Sequence, residues 1–151
     1  MVRMGVMMYG LYPDGSIQEQ GALEPILTLK ARVVQVKELP VGACISYGCT
    51  AKTERPTKIA VIGAGYADAY PRRMSNRGAY AVINGYKCPQ IGRICMDLCM
   101  FDVTDADVKR GDVAVLYGKG GMPMEQVAAL ADSINCEPLS LLTNRVAKVY
   151  L

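Results

Sequence analysis

From Pro25 to Tyr117 the chain is written in short β-type runs divided by turn residues, a pattern that leaves few folds open. Leu29, Ala31 and Val33 alternate with Lys30, Arg32 and Val34, the period-two signature of a half-buried strand. Pro40-Val41-Gly42 turns the chain. Residues 43–47 and 58–62 are further short strands. Residues 79–83 and 86–90 predict a hairpin through Asn84-Gly85, because this pair supplies the positive φ angles of a type I′ turn. Residues 94–103 and 112–117 continue the series. Only one stretch has a clear helical period: Val127, Leu130, Ala131 and Ile134 fall at i, i+3, i+4 and i+7. Pro123 suits its first turn and Glu125 its positive end. Residues 139–142 read as a short helical turn and 145–151 as a last strand. The expected fold is mainly β: a small closed, Greek-key-like β-barrel with one late helix.

The N-terminus does not fit that pattern. Residues 2–11 read as a nearly continuous apolar strand of the kind buried in a parallel sheet. No parallel neighbours follow, so the run is expected to be the remnant of something larger. Arg3 inside it would need a partner if buried. Residues 12–24 carry Pro13-Asp14-Gly15 and few large apolar side chains, and read as a linker. The β domain is expected to occupy residues 25–151.

Composition removes several classes of function. A length of 151 residues suits one domain, and 51% hydrophobic with 21% charged residues is ordinary for a folded chain. The net charge of +3, with no Lys/Arg run longer than two, gives no footprint for nucleic acid. No apolar run approaches the ~18 residues of a membrane span, and the first residues lack a secretory layout. Gly63-Ala64-Gly65 follows a strand but lacks the third glycine and the βαβ setting of a dinucleotide loop. The six cysteines form no Cys-x-x-Cys, and no histidine completes a mixed metal site. They read as reduced core thiols, with no metal site, which points to the cytoplasm; a disulfide framework is the alternative.

The absence of histidine also narrows any proton chemistry to Tyr, Cys, Lys or a carboxylate. Three passages set such groups beside glycine: residues 45–49, 63–73 and 91–97. Tyr47 reads either as an amphipathic tyrosine at a domain edge or as a catalytic phenol. The second role needs a nearby cation to bring a phenol down from its usual pKa of ~10. Tyr66, between Gly65 and Ala67, reads the same way. Met96 by default packs in a core. Arg72-Arg73 is either a solvated pair or an arginine-lined mouth for an anion.

Taken in order these fragments are specific. Arg3-x-Gly5-x-x-x-Tyr9-Gly10, Leu29-Lys30-Ala31-Arg32, Ser46-Tyr47-Gly48, Gly65-Tyr66-Ala67-Asp68-Ala69-Tyr70-Pro71-Arg72-Arg73, Asn84-Gly85, Gly92-Arg93-Ile94-Cys95-Met96-Asp97 and Arg145-Val146 succeed one another along the chain. The set closely resembles the C-terminal part of the alanine racemase family, pyridoxal-phosphate enzymes built as a (β/α)8 barrel followed by a β-rich domain. The resemblance implies that residues 1–11 are the last strand of that barrel, whose lysine, holding the cofactor, and whose tyrosine-pairing arginine precede Met1.

It further implies a residue-by-residue assignment. Tyr47 matches the second base of a two-base racemisation of L- and D-alanine, which supplies D-alanine for the peptidoglycan of the cell wall. It would be donated in trans to the other subunit of a homodimer. Met96 matches a position whose backbone N–H binds the substrate carboxylate, with Tyr66 nearby. Arg3 would face the pyridine nitrogen of pyridoxal 5'-phosphate, and Gly5 and Val6 its phosphate. Arg72, Arg93 and Asp97 match a polar entrance corridor. Where many members have Asn-Tyr-Glu, whose tyrosine hydrogen-bonds the cofactor phosphate, this chain has Asn135-Cys136-Glu137, so Cys136 takes the cofactor-binding position. A thiol is smaller than a phenol and a poorer hydrogen-bond partner, so Cys136 would leave room beside the substrate side chain. Serine racemase activity, in a parent that could carry a membrane segment, is therefore one rival reading. A free-standing β-barrel that binds a ligand without catalysis is the other. This chain alone is expected to be inactive.

Overall fold

The computed structural model describes residues 1, 3–13 and 23–150. Eight strands form: β1 (Leu29–Leu39), β2 (Cys44–Ile45), β3 (Ala51–Lys52), β4 (Thr57–Ile62), β5 (Tyr80–Ile83), β6 (Tyr86–Pro89), β7 (Cys99–Asp102) and β8 (Val113–Tyr117). Two helices follow, α1 (Met124–Ala131) and α2 (Cys136–Ser140). Six strands make one sheet in the order β6-β5-β8-β1-β4-β7, and β2 pairs with β3 apart from it. Every strand pairing is antiparallel.

β1 makes the barrel possible. Its first residues pair with β8 (Lys30 with Val115, Arg32 with Val113) and the rest with β4 (Val36 with Ala60, Leu39 with Thr57). The register slips between Leu29 and Lys30 and again between Val33 and Gln35. Such irregularities bend a strand and increase its twist, so one strand turns the corner between two halves of the sheet. The ends then meet: Gln90, next to β6, bridges Phe101 in β7, and Ile91 N–H donates to Met100 O at 3.0 Å. The sheet is nearly closed, as the period-two pattern predicts.

Alternation places one face of each strand inside. Val33, Ile62, Ile83, Phe101 and Leu116 are at most 1% exposed and share one core with Met74, Ile94, Met122 and Val127. A one-residue slip would reverse the faces, so this packing fixes the register. The β5–β6 hairpin turns through Asn84 (φ 51°) and Gly85 (φ 83°), as its sequence requires.

Several expectations are corrected. Residues 3–11 of the expected N-terminal strand form no strand; Gly5–Tyr9 is a 3₁₀ turn, ended by Gly10 at φ 72°. With no parallel neighbour among the described residues, Met7 N–H donates to Met4 O and Gly10 N–H to Met7 O, so the backbone closes these bonds locally. Arg3 is exposed and needs no buried partner. Leu11 is 2% exposed and packs with the β-barrel core. Val2, the expected linker from 14 to 22 with most of its turn signal, and Leu151 lie outside the described residues. No strand forms from 145 to 150, where Val149 is 79% exposed. The strand expected at 94–103 is only β7, because Cys95 N–H donates to Leu98 O at 2.8 Å and turns the chain first. That expected at 43–47 is only β2. α1 stops at Asp132 (φ 56°), leaving Ile134 exposed rather than on the core face. α2 begins three residues before the expected helical turn at 139.

Leu11→Ala should lower unfolding free energy by about 2–4 kcal/mol, the cost of a large-to-small core change. Ile26→Ala, at a position 70% exposed, should cost less than about 0.5 kcal/mol. Urea denaturation of both variants checks the contrast.

Candidate functional site

Tyr47 stands on a very short loop. β2 and β3 pair Cys44 with Lys52 and Ile45 with Ala51, so the chain must reverse between them. It does so through Ser46 (φ 64°), Gly48 (φ 71°) and Cys49 (φ 48°). A disulfide joins Cys44 to Cys49 across the tip, with their Cα atoms 4.9 Å apart. Ile45 is buried and anchors the loop, while Tyr47 is 70% exposed.

The second passage grips the first. Ser46 Oγ donates to Arg93 O at 2.8 Å and lies 3.5 Å from Cys95 Sγ. The Arg93 guanidinium sits beside Gly48, its Nε 3.7 Å from where a Cβ there would stand. Gly92 N–H donates to Asn76 Oδ1 at 2.7 Å and Ile94 N–H to Ser75 Oγ at 3.0 Å. The buried Gln90 side chain donates to Gly92 O at 2.7 Å and accepts from Asn76 N–H at 2.9 Å.

The third passage closes onto the second. A Cβ on Gly65 would fall 2.2 Å from Cys95 O and 2.4 Å from Met96 O, so only glycine fits. Tyr66 N–H donates to Cys95 O and Ala67 N–H to Met96 O, both at 3.0 Å. Asp68 Oδ2 accepts from Gly65 N–H at 3.0 Å.

Between these loops and β1 lies an open cleft of about 530 Å³, whose lining includes Lys37, Tyr47, Cys95, Met96 and Asp97. Met96 is 50% exposed, not packed in the core. Tyr66 is exposed and bonded to the cleft wall through its backbone, but does not line it. Arg93 lies beside the Tyr47 loop. Arg72 is on an exposed 3₁₀ turn and is not brought to the cleft. Neither are Arg3, Gly5, Val6 and Cys136: Val6 is half-buried against the core and the other three are exposed. The Cys136 thiol is 3.6 Å from Asn135 Oδ1. Among the described residues, no group of three or more His, Cys, Asp or Glu could hold a metal ion.

Two features escape a reading by residue type. Arg145 Nε donates to Asp68 Oδ1 at 3.2 Å and its Nη2 pairs with Asp97 Oδ1; hydrogen bonds to Asp68 and then Asp97 push its guanidinium pKa further up. The expected strand at 145–151 hid this. The cysteines are the second. They were expected as reduced core thiols, but Cys44 and Cys49 are bonded, Cys95 is half-buried and Cys136 is exposed. The tight turn between β2 and β3 brings the first pair within bonding reach, and a five-residue spacing flanking a tyrosine was the available signal. Only Cys88 and Cys99 are buried, and burial pushes both thiols up.

Residues 26–150 match the family described as alanine racemase, C-terminal domain. The chain belongs to this family. It is 45% identical over 154 residues to an alanine racemase of Halothermothrix orenii, covering 99% of this chain and 40% of that protein. It superposes on the crystal structure of alanine racemase from the D-cycloserine producer Streptomyces lavendulae with a TM-score of 0.89 at 35% identity, covering 97% of this chain and 40% of that one. The alanine racemase of Bartonella henselae with covalently bound pyridoxal phosphate gives a TM-score of 0.88 at 34% identity, with the same coverage. The chain thus spans about 40% of the length of the curated relatives it matches.

Under native conditions Cys95 and Cys136 should react fast with an aromatic disulfide reagent, and Cys88 and Cys99 only on unfolding, since the thiolate is the reactive form. The remaining pair should appear only after reduction. A native titre that includes Cys44 and Cys49 would remove the disulfide from this account.

Proposed function

We propose that this chain is the C-terminal part of an amino-acid racemase, with alanine as substrate, and that Tyr47 is a proton-transferring phenol. The observation that supports this most is the placement of Tyr47. An exposed phenol on a stapled loop, at the rim of a cleft shared with Met96 and Asp97, is ready to enter a site completed by other residues. Inverting an α-carbon requires proton removal on one face and delivery on the other. Tyr47 Oη holds and releases the proton on one face. The opposite base comes from the part of the relatives that this chain does not span. Residues 1–11 are then the end of a (β/α)8 barrel, 12–24 a linker and 25–151 the β domain. Two copies form a homodimer in which each β domain reaches the other's barrel, in the cytoplasm. Among the described residues no helix is long and apolar enough to cross a membrane.

Pyridoxal phosphate, when bound, would supply the electron sink that makes the α-proton labile. Arg3, Gly5, Val6 and Cys136 would hold it in a site that the remaining length completes. Three of them are exposed, none lines the Tyr47 cleft, and a Cβ on Gly5 would meet nothing within 4 Å. The other walls would come from the remaining length, the Tyr47 cleft being turned to the other subunit, and no step is assigned to these four residues. Within the cleft the Met96 amide would receive the substrate carboxylate, with Asp97 next to it and Lys37 adding a cation to the wall, while Arg93, beside the Tyr47 loop, would set the polarity of the approach. Arg72 and Tyr66 lie further out. Serine turnover is a second reading, favoured by the small, exposed Cys136 thiol.

Tyr47→Phe in the full-length protein loaded with pyridoxal phosphate should lower kcat about 10²–10⁴-fold, the range for loss of a positioned acid–base group. Folding should survive, because the side chain is exposed. Racemisation of L-alanine and L-serine is followed by circular dichroism. A Tyr47→Phe rate within about threefold of wild type would defeat the phenol's role. A folded, loaded parent that racemises neither amino acid would leave a non-catalytic binding module as the better account.

A further inference from the structure

We propose that Arg145 is a positioning residue that clamps the Tyr66 turn and the Met96 loop together from outside the cleft, and so sets the shape presented to a substrate carboxylate. The proposal rests on the racemase reading above for its substrate, but on geometry for its mechanism. Arg145 does not line the cleft. Its guanidinium reaches two carboxylates that belong to two separate passages: Asp68, at the end of the Tyr66–Asp68 turn, and Asp97, directly after Met96. One planar group with several donors in a fixed fork can hold two acceptors at a set separation; a point charge on a flexible stem does so less well.

The two carboxylates differ in what they transmit. The Asp68 side chain is only 14% exposed, against 56% for Asp97 and 51% for Arg145. Asp68 Oδ2 already accepts from Gly65 N–H at 3.0 Å, so its free oxygen is the one that faces Arg145. The turn is thereby fixed at its start by Gly65 and at its end by Arg145. Asp97 is the more exposed of the two and sits in the four-residue reversal closed by Cys95 N–H to Leu98 O at 2.8 Å. Only two backbone bonds tie this reversal to the Tyr66 turn, Tyr66 N–H to Cys95 O and Ala67 N–H to Met96 O. Arg145 adds a third attachment beyond them. Its own backbone is held in place because Val146 packs on the barrel core and Arg145 N–H donates to Thr143 Oγ1 at 3.3 Å. A single exposed ion pair contributes little. A guanidinium shared between two carboxylates, one largely desolvated, forms a network with defined geometry, which is the exception to that rule.

Loss of the clamp should loosen the Met96 amide while leaving Tyr47, which hangs from the other side through Ser46 and the Cys44–Cys49 bond, in place. The signature is thus a split between binding and turnover. In the full-length, cofactor-loaded protein, Arg145→Ala should raise KM for the amino acid about tenfold, comparable to one weakened charge-assisted hydrogen bond, with kcat changed less than about threefold. Arg145→Lys should recover only part of the loss, because it keeps the charge without the fork. Hydrogen exchange reports the same clamp without any turnover. In Arg145→Ala the amides of Tyr66, Ala67 and Cys95 should exchange faster, while those of the β5–β6 hairpin stay unchanged. A higher KM together with faster exchange supports the proposal. Unchanged KM in an active enzyme overturns it, whatever the exchange shows, and so does a higher KM with unchanged exchange, which would mean that Arg145 acts on the substrate itself. If the parent does not racemise amino acids, the racemase reading has failed separately, and the exchange decides the clamp: faster exchange at those three amides supports it, unchanged exchange overturns it.

Discussion

The buried amide of Gln90 is the point on which barrel and cleft both depend. Its backbone N–H donates to Ala79 O at 2.8 Å, and its residue bridges Phe101 to close the sheet. Its side chain is 6% exposed, and both its donor and its acceptor are used, on Gly92 O and Asn76 N–H. A buried amide satisfied at both ends is stabilising; left half-paired it would cost about 1–3 kcal/mol. The same group that draws the two edges of the sheet together therefore sets where the chain leaves the barrel and begins the cleft wall. Closure and site geometry are one constraint.

From this knot the three glycine-bearing passages are built outward in order. Gly92 leads to the Arg93–Met96 wall, Ser46 fastens the Tyr47 loop to that wall, and Gly65 lets the Tyr66 turn approach it from the far side. Each contact has a backbone group on at least one side, and Gly65 and Gly92, which have no room for a side chain, sit where two passages touch. The cleft is thus a product of loop-to-loop hydrogen bonding on a rigid sheet, the usual setting for a site.

The parts of this arrangement governed by local rules were legible from residues alone. The Asn84-Gly85 hairpin, the alternation in β1 and the Val127–Ala131 face follow from turn chemistry and periodicity. Strand ends were less legible. Residues 94–98 and 145–150 have strand-like composition, but the Cys95–Leu98 reversal and the lack of a neighbouring strand among the described residues decide otherwise, and those are tertiary facts. The N-terminal run failed for the same reason: an apolar stretch is a strand only where a partner receives its hydrogen bonds. In the cleft, the nearness of Tyr47, Met96 and Asp97 could be anticipated only through family resemblance. No spacing rule brings residues 47 and 97 together, and none links Arg145 to Asp68 across 77 positions.

The covalent bond across the Tyr47 loop bears on more than the shape of one turn. Cys44 and Cys49 enclose four residues, and three of the six backbone positions from one cysteine to the other already sit at positive φ. Such a loop has surrendered most of its conformational freedom before it meets anything else. Ordering a loop at an interface normally subtracts from the affinity of association; here that subtraction is made during folding and oxidation instead. Tyr47 is in this sense a fixed stud and not a tethered probe. A surface complementary to it meets a single geometry, which favours selectivity among mating surfaces over adaptability.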